Sequence, residues 1–214
     1  LENRVLAAAR QALEDGKARM LNYSMADPEN GDPGICGGQV EVYVEPILPR
    51  PGLLVIGVGH VGKAVAHLAH WLGFYVMVSD DRPELCTREL IPEADAFYPV
   101  AMAELPEQIK IDRWTAVVLT TRGSDVDVVG LPALLNTQAV YLGVIGSRRR
   151  WETTRRGLVE QGITPEQLGR VRSPIGLELN AETPEEIAVS ILAEILMLRH
   201  GGHGGEMSKP PKKR

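Results

Sequence analysis

The sequence predicts an α/β protein built on a doubly wound parallel sheet, with helices on both faces. Apolar, β-branched runs at 53–56, 115–120 and 140–145 are typical of strands that are buried on both sides. Stretches with helical spacing of apolar residues separate these runs, and a glycine-rich turn at 57–62 leads from the first run into a helix. Strands that alternate with helices in this way favour a parallel sheet.

The segment at 53–82 combines a strand, a turn, a helix and a second strand. The turn reads GVGHVG, a G-x-G-x-x-G spacing. Its glycines permit a tight turn, let backbone approach a pyrophosphate and let the helix pack closely on the strand. The helix start favours phosphate, and Asp80 follows the second strand, where an acid can accept hydrogen bonds from a ribose. The segment predicts a Rossmann-like nucleotide-binding unit; the alternative is a glycine-rich turn that binds nothing.

Composition excludes several classes of protein. The chain has 214 residues and a net charge of −5, which disfavours a nucleic-acid-binding body because phosphate contacts need clustered Lys and Arg. It has no apolar run of about 18 residues and no secretory signal, so we expect a cytoplasmic protein without a membrane partner. Two cysteines do not make a disulfide framework.

The pattern divides the chain into three parts. Residues 1–50 predict a helix and two short strands, and the prolines that follow mark a boundary. Residues 51–200 form the Rossmann-like domain, and 201–214 are a Gly-rich, basic tail that we expect to be disordered. Since the sequence begins at Leu1 rather than Met, we expect the N-terminal part to be incomplete.

Further elements follow from local signals in the second part. We expect a small strand at 96–98, a polar loop at 121–127 after the 115–120 strand, and a helix from about 128 to 135. Thr164 and Thr183 each begin a capping box with Pro at the first helical position.

Cys36 is the candidate reactive residue. It stands beside two glycines just before a strand, where backbone N–H groups can lower the pKa of an exposed thiol. The alternative is a small buried apolar residue, which is also our interpretation of Cys86.

Other polar residues are weaker candidates. Ser147 can cap a helix whose first turn carries Arg148 and two further arginines, which either face an anion or are simply solvated. Asp125 and Asp127 either bind a metal or polar ligand or are solvated. The histidines at 60, 67 and 70 lack acidic or thiol partners, so we do not expect them to form a metal site.

Several motifs together resemble the XdhC/CoxI family of maturation factors for molybdenum hydroxylases. They are CGG at 36–38, GVGHVG at 57–62, DDRPE at 80–84, YLGVIGSRR at 141–149, PIGL at 174–177 and TPEEIA at 183–188. The resemblance spans almost the whole chain, and the last three motifs carry most of its specificity.

The resemblance implies a chaperone that binds the molybdenum cofactor, assists its sulfuration with a cysteine desulfurase and passes it to an apo molybdenum hydroxylase. A homodimer is a further option. Cys36 would contact molybdenum or its sulfur, as catalytic residue and metal ligand. The expected cofactor-binding residues are Gly57, Gly59, His60, Val61, Gly62, Asp80, Arg82, Thr121, Gly146, Ser147 and Arg148.

Two alternatives stay open. One is an NAD(P)-binding oxidoreductase or nucleotide sensor with Asp80 on the ribose, in which Arg82 can accommodate a 2′-phosphate. The other is a structural scaffold that recruits partners through its tail and a dimer face.

Overall fold

The computed structural model describes residues 1–24 and 38–208 and divides into two compact units, Leu1–Pro49 and Arg50–Arg214. Cys36 and the last part of the expected tail, 209–214, lie outside the described residues. Within the described part of the chain, no helix is long and apolar enough to cross a bilayer.

The first unit is a helix followed by two strands. Helix α1 (Glu2–Asp15) ends at Gly16, whose φ of 71° provides the left-handed cap that glycine favours. Strands β1 (Arg19–Ser24) and β2 (Gln39–Val44) pair antiparallel, and α1 contacts both of them. The predicted small N-terminal α+β segment is confirmed.

The second unit contains a six-stranded parallel sheet. Its strands are β3 (Gly52–Ile56), β4 (Tyr75–Ser79), β5 (Ala96–Tyr98), β6 (Thr115–Leu119), β7 (Tyr141–Val144) and β8 (Val171–Arg172). Their order is β5-β4-β3-β6-β7-β8, and every neighbouring pair is parallel. This is the strand order of dinucleotide-binding folds, in which the direction of winding changes between β3 and β6.

Helices cover both faces of the sheet. They are α2 (His60–Trp71), α3 (Leu105–Gln108), α4 (Ser124–Leu135), α5 (Arg148–Glu160), α6 (Pro165–Leu168) and α7 (Pro184–His200), with 3₁₀ turns at Pro83–Leu85 and Met102–Glu104. Along β3, Leu53 and Val55 join the core under α2 and α7, whereas Leu54 and Ile56 join the core under α4 and α5. Because both sets are buried, the strand is apolar throughout, as the predicted doubly wound class requires. That class is confirmed.

Two local predictions have opposite outcomes. The capping boxes at Thr164 and Thr183 are both present. The prediction of a polar loop over 121–127 is wrong for its second half, because α4 begins at Ser124. Asp125 and Asp127 lie in the first turn of α4, where carboxylates are stabilised by the helix dipole.

Candidate functional site at the switch point of the sheet

The loops after β3, β4 and β6 meet at the carboxyl ends of the central strands, where open α/β sheets bind ligands. They enclose a small cavity of about 20 Å³, which is about the space of one water molecule. We call this region the switch-point crevice. It is lined by Ile56, Gly57, Asp80, Asp81, Arg82, Val100, Met102, Thr121, Arg122 and Val126.

Two glycines of the turn after β3 are required by packing. Gly57 has a φ of 93°, and a Cβ there would lie 2.8 Å from the carbonyl of Thr120. A Cβ on Gly62 would lie only 2.1 Å from the carbonyl oxygen of Gly57. These two glycines therefore allow the start of α2 to pack directly on the loops after β3 and β6, whether or not a ligand binds.

Gly59 is different, because the fold does not need a glycine there. It is the N-cap of α2, with an ordinary φ of −68°, and a Cβ would meet no described atom within 4 Å. The position is thus open space beside the unpaired N–H groups of a helix start. Such a glycine is suited to the close approach of a phosphate, which stays a prediction.

The neighbouring residues of α2 have other surroundings. His60 is exposed and lines a shallow groove with Lys63 and His67 rather than the switch-point crevice. Val61 packs against the apolar core. Of the three candidate histidines, His67 is paired with Glu93 at 2.7 Å. Among residues 1–24 and 38–208, no group of three or more His, Cys, Asp or Glu is arranged to hold a metal ion.

Asp80 is buried and its carboxylate already has partners within the chain. It accepts hydrogen bonds from the Val58 N–H at 2.9 Å and from Arg82 Nε and Nη2 at 2.8 and 3.0 Å. A ribose hydroxyl would have to displace the Arg82 guanidinium before it could bind this carboxylate. Asp80 and Arg82 do lie together at the crevice, but as an ion pair that fixes the glycine turn to the end of β4.

A second ion pair, Asp81–Arg122, joins the loops after β4 and β6. Both guanidinium nitrogens of Arg122 donate to the Asp81 carboxylate, at 2.6 and 2.7 Å. This contact holds the pKa of Asp81 below its usual value. Sequence reasoning missed both residues. The available signal was an arginine in a loop expected at the carboxyl end of a central strand.

Thr121 belongs to a buried network instead of pointing at a free ligand position. Its hydroxyl donates to Asp127, and its hydroxyl and carbonyl accept from the Arg150 guanidinium at 2.8 and 3.1 Å. Arg150 also pairs with the fully buried Asp127 at 2.8 Å. The interpretation of Asp127 as a solvated acid is therefore wrong. The interpretation that the arginines face an external anion is wrong for Arg150.

The start of α5 explains the glycine-serine-arginine run. Gly146 has a φ of 136°, and a Cβ there would lie 2.6 Å from the side chain of Arg150. Ser147 caps the helix by accepting from the Arg150 N–H at 3.2 Å, while Arg148 is exposed. Glycine thus makes room for Arg150 to turn inward, and none of Gly146, Ser147 and Arg148 lines the small cavity.

The PIGL segment at 174–177 is bound to α7. The Gly176 N–H donates to Glu194 at 2.9 Å, and the Leu177 N–H donates to the Ser190 carbonyl at 3.1 Å. Glu194 also accepts from the Tyr141 hydroxyl, and this carboxylate and burial raise the pKa of Tyr141. These contacts give the segment a structural role in joining the edge of the sheet to α7.

Replacing Asp127 with asparagine is expected to lower the free energy of unfolding by about 2 kcal/mol, because hydrogen bonds to charged groups each contribute about 1.5–3 kcal/mol. The change removes the counter-ion of Arg150 while keeping the shape of the side chain. The measurement is the free energy of unfolding in urea. Glu152→Gln is the matched control, since it breaks the exposed pair with Arg155 on the same helix and should leave the midpoint unchanged. Wild-type stability of Asp127→Asn would contradict the network.

The chain is similar to proteins of one known family. The sequence profile of the XdhC Rossmann domain matches residues 53–195, which is more than half of the chain. The chain belongs to the XdhC family. The predicted resemblance is confirmed for XdhC, and the match covers the sheet from β3 through most of α7.

The chain is also similar in sequence to individual proteins. The chain is 34% identical over 214 residues to the uncharacterized protein YqeB of Escherichia coli, covering 98% of this chain and 39% of YqeB. It is 34% identical over 158 residues to a probable xanthine dehydrogenase subunit of Bacillus subtilis, covering 74% of this chain and 46% of that protein. A shorter match, 31% over 90 residues, is to the molybdenum cofactor insertion chaperone PaoD of Escherichia coli, covering 42% and 28%.

Among solved structures, the chain is similar to a xanthine dehydrogenase from Bacillus halodurans. The TM-score is 0.64 at 29% sequence identity, and the match covers 83% of this chain and 50% of the other. The chain thus spans half or less of the length of each of these relatives.

Proposed function

We propose that this chain acts in the maturation of a molybdenum hydroxylase by binding the molybdenum cofactor at the switch-point crevice and at the neighbouring start of α2. The observation that carries the proposal is Gly59, a glycine that the fold does not need, at the start of α2 in an XdhC Rossmann domain. The helix start offers N–H donors to the phosphate of the pterin cofactor. A relative named as a molybdenum cofactor insertion chaperone supports the cargo assigned here.

The polar groups around the crevice favour binding over catalysis. Asp80 is saturated by Val58 and Arg82, and Asp127 is saturated by Thr121 and Arg150. A general base needs a free acceptor within hydrogen-bond reach of the substrate, and these buried carboxylates have none to spare. A site whose buried carboxylates are internally paired suits a protein that holds and shields a reactive cofactor.

The finer parts of the proposal come from the family resemblance. A cysteine desulfurase would supply the terminal sulfur while the cofactor is held, and an apo-hydroxylase of the xanthine or carbon monoxide dehydrogenase type would receive it. A relative named as a probable xanthine dehydrogenase subunit supports a client of this class. An NAD(P) role is less well supported, because a ribose would have to separate Arg82 from Asp80.

Replacing Cys36 with serine is expected to leave folding unchanged and to reduce delivery of active cofactor to an apo-hydroxylase by about tenfold or more, which corresponds to about 1.4 kcal/mol. The thiolate is the better ligand for a soft metal or its sulfur. The measurement is hydroxylase activity regained after incubation with cofactor-loaded protein. Cys86→Ser is the control that removes the other thiol of the chain. Full delivery by Cys36→Ser would remove the thiol from the proposed function.

A further inference from the structure

We infer that Arg122 binds the anionic end of the ligand at the switch-point crevice, and that the Asp81 carboxylate occupies the Arg122 guanidinium until the ligand binds. The inference rests on the proposed function, because it names a binding residue of the same site. The ion pair between the two loops would then take a direct part in selecting the ligand.

The Asp81–Arg122 pair bridges two loops of the crevice. Asp81 follows β4 and Arg122 follows β6, so their contact joins the two loops that flank the glycine turn after β3. Both residues line the cavity together with Gly57. Since the space among these side chains is only about 20 Å³, a phosphate-sized group fits between them only if one of them moves.

Arg122 is the most available guanidinium at the crevice. Arg82 is bound to Asp80, whose side chain is 1% exposed and is also fixed by a backbone N–H. Arg150 is bound to Asp127, whose side chain is fully buried. Withdrawing either arginine would leave a carboxylate buried without its counter-ion, which is costly. The partner of Arg122 is 35% exposed, so water can solvate it when the arginine leaves.

The energy of the exchange favours the ligand. The bidentate geometry makes this pair stronger than most surface ion pairs, but both members are partly exposed, so water solvates them when they separate. A phosphate or pyrophosphate carries more negative charge than one carboxylate and presents oxygens that match the fork of a guanidinium. Arg122 can therefore leave Asp81 for the ligand at a lower cost than Arg82 or Arg150 would incur, and doing so opens the cavity beside the glycine turn.

The test is calorimetric titration of the full chain with inorganic pyrophosphate at low ionic strength. We expect Arg122→Gln to weaken binding by about tenfold or more, since charge-assisted hydrogen bonds are lost. Asp81→Asn should strengthen binding several-fold, because the internal competitor is gone. In the double variant Asp81→Asn/Arg122→Gln, the gain should disappear. That pattern would establish an exchange between the carboxylate and the ligand at one guanidinium.

Two control variants separate this exchange from simple charge effects. Asp125→Asn removes one negative charge near Arg122, on which Asp125 acts through its charge alone. It should strengthen binding less than Asp81→Asn does. Arg155→Gln removes an exposed arginine that is paired with Glu152 on α5 and should leave binding unchanged. Arg122→Lys keeps the charge without the planar fork, and it should show an intermediate loss if Arg122→Gln fails to fold.

Three results would overturn the inference. The first is that Arg122→Gln binds pyrophosphate as tightly as the wild type. The second is that Asp81→Asn strengthens binding as much in the Arg122→Gln background as in the wild type. The third is that the wild type does not bind pyrophosphate. The proposed function is judged separately, by retention of the molybdenum cofactor. If Arg122→Gln retains the molybdenum cofactor as well as the wild type does, this inference fails and the proposed function stands.

Discussion

Replacing Gly59 with valine is expected to reduce retention of the molybdenum cofactor by at least about tenfold, because one charge-assisted hydrogen bond contributes about 1.5–3 kcal/mol and a bulky side chain keeps the phosphate from the helix start. The backbone at this position suits any residue, and the side chain points into open space. Thermal unfolding should therefore change only by the loss of the N-cap preference for glycine over an apolar residue, about 1 kcal/mol. Cofactor that co-purifies with the protein through gel filtration is the quantity to measure.

The size of the side chain provides the internal control. Gly59→Ala adds a single methyl group and should reduce retention less than valine does, with the same small loss of N-cap stability. A graded loss of retention between two variants of similar stability is the signature of a ligand that approaches this position. If the valine variant retains the full amount of cofactor, the glycine turn is not part of the binding site.

Replacing Gly62 with alanine is expected to have the largest effect on stability. The new methyl group would lie 2.1 Å from the carbonyl oxygen of Gly57, which is backbone and has little freedom to move. We expect the free energy of unfolding to fall by about 3 kcal/mol, the upper part of the usual range for overpacking. For a unit of this size, that corresponds to a drop in Tm of roughly 6–12 °C.

Gly59→Ala is the matched control for this second change as well, because it makes the same substitution three residues away in the same turn. Its midpoint should fall much less than that of Gly62→Ala, because it loses only the N-cap preference for glycine. A Gly62→Ala variant that melts with the wild type would contradict the close packing of α2 on the turn. Gly62 is thus required by the packing of the fold, whereas Gly59 is expected to be required by the ligand.

The sheet was predictable from the sequence because its signals are local. Strands β3 and β6 are buried at every position, and apart from Thr115 in β6 their residues are apolar or glycine, as burial on both faces requires. The capping boxes at Thr164 and Thr183 were predictable for the same reason, since each is set by residues three positions apart.

The polar contacts of the site were not predictable, because they join residues that are distant in the chain. Asp81 and Arg122 are separated by 41 positions, and Asp127 and Arg150 by 23. No local pattern states which carboxylate a given arginine will meet. Asp127 was also assigned to a loop, since a run of polar residues hid the start of α4. The sequence therefore predicted where the crevice lies, whereas the partners of its charged residues could be identified only from the structure.

The most direct test of the central claim is anaerobic retention of the cofactor. The purified protein is incubated with molybdenum cofactor released from a denatured hydroxylase, free cofactor is removed, and bound molybdenum and pterin are quantified with and without excess NAD(P)H. We predict stoichiometric retention of both by the wild type and its loss in Gly59→Val. Binding of NAD(P)H with no retention of molybdenum or pterin would contradict the account and would favour a nucleotide-binding protein instead.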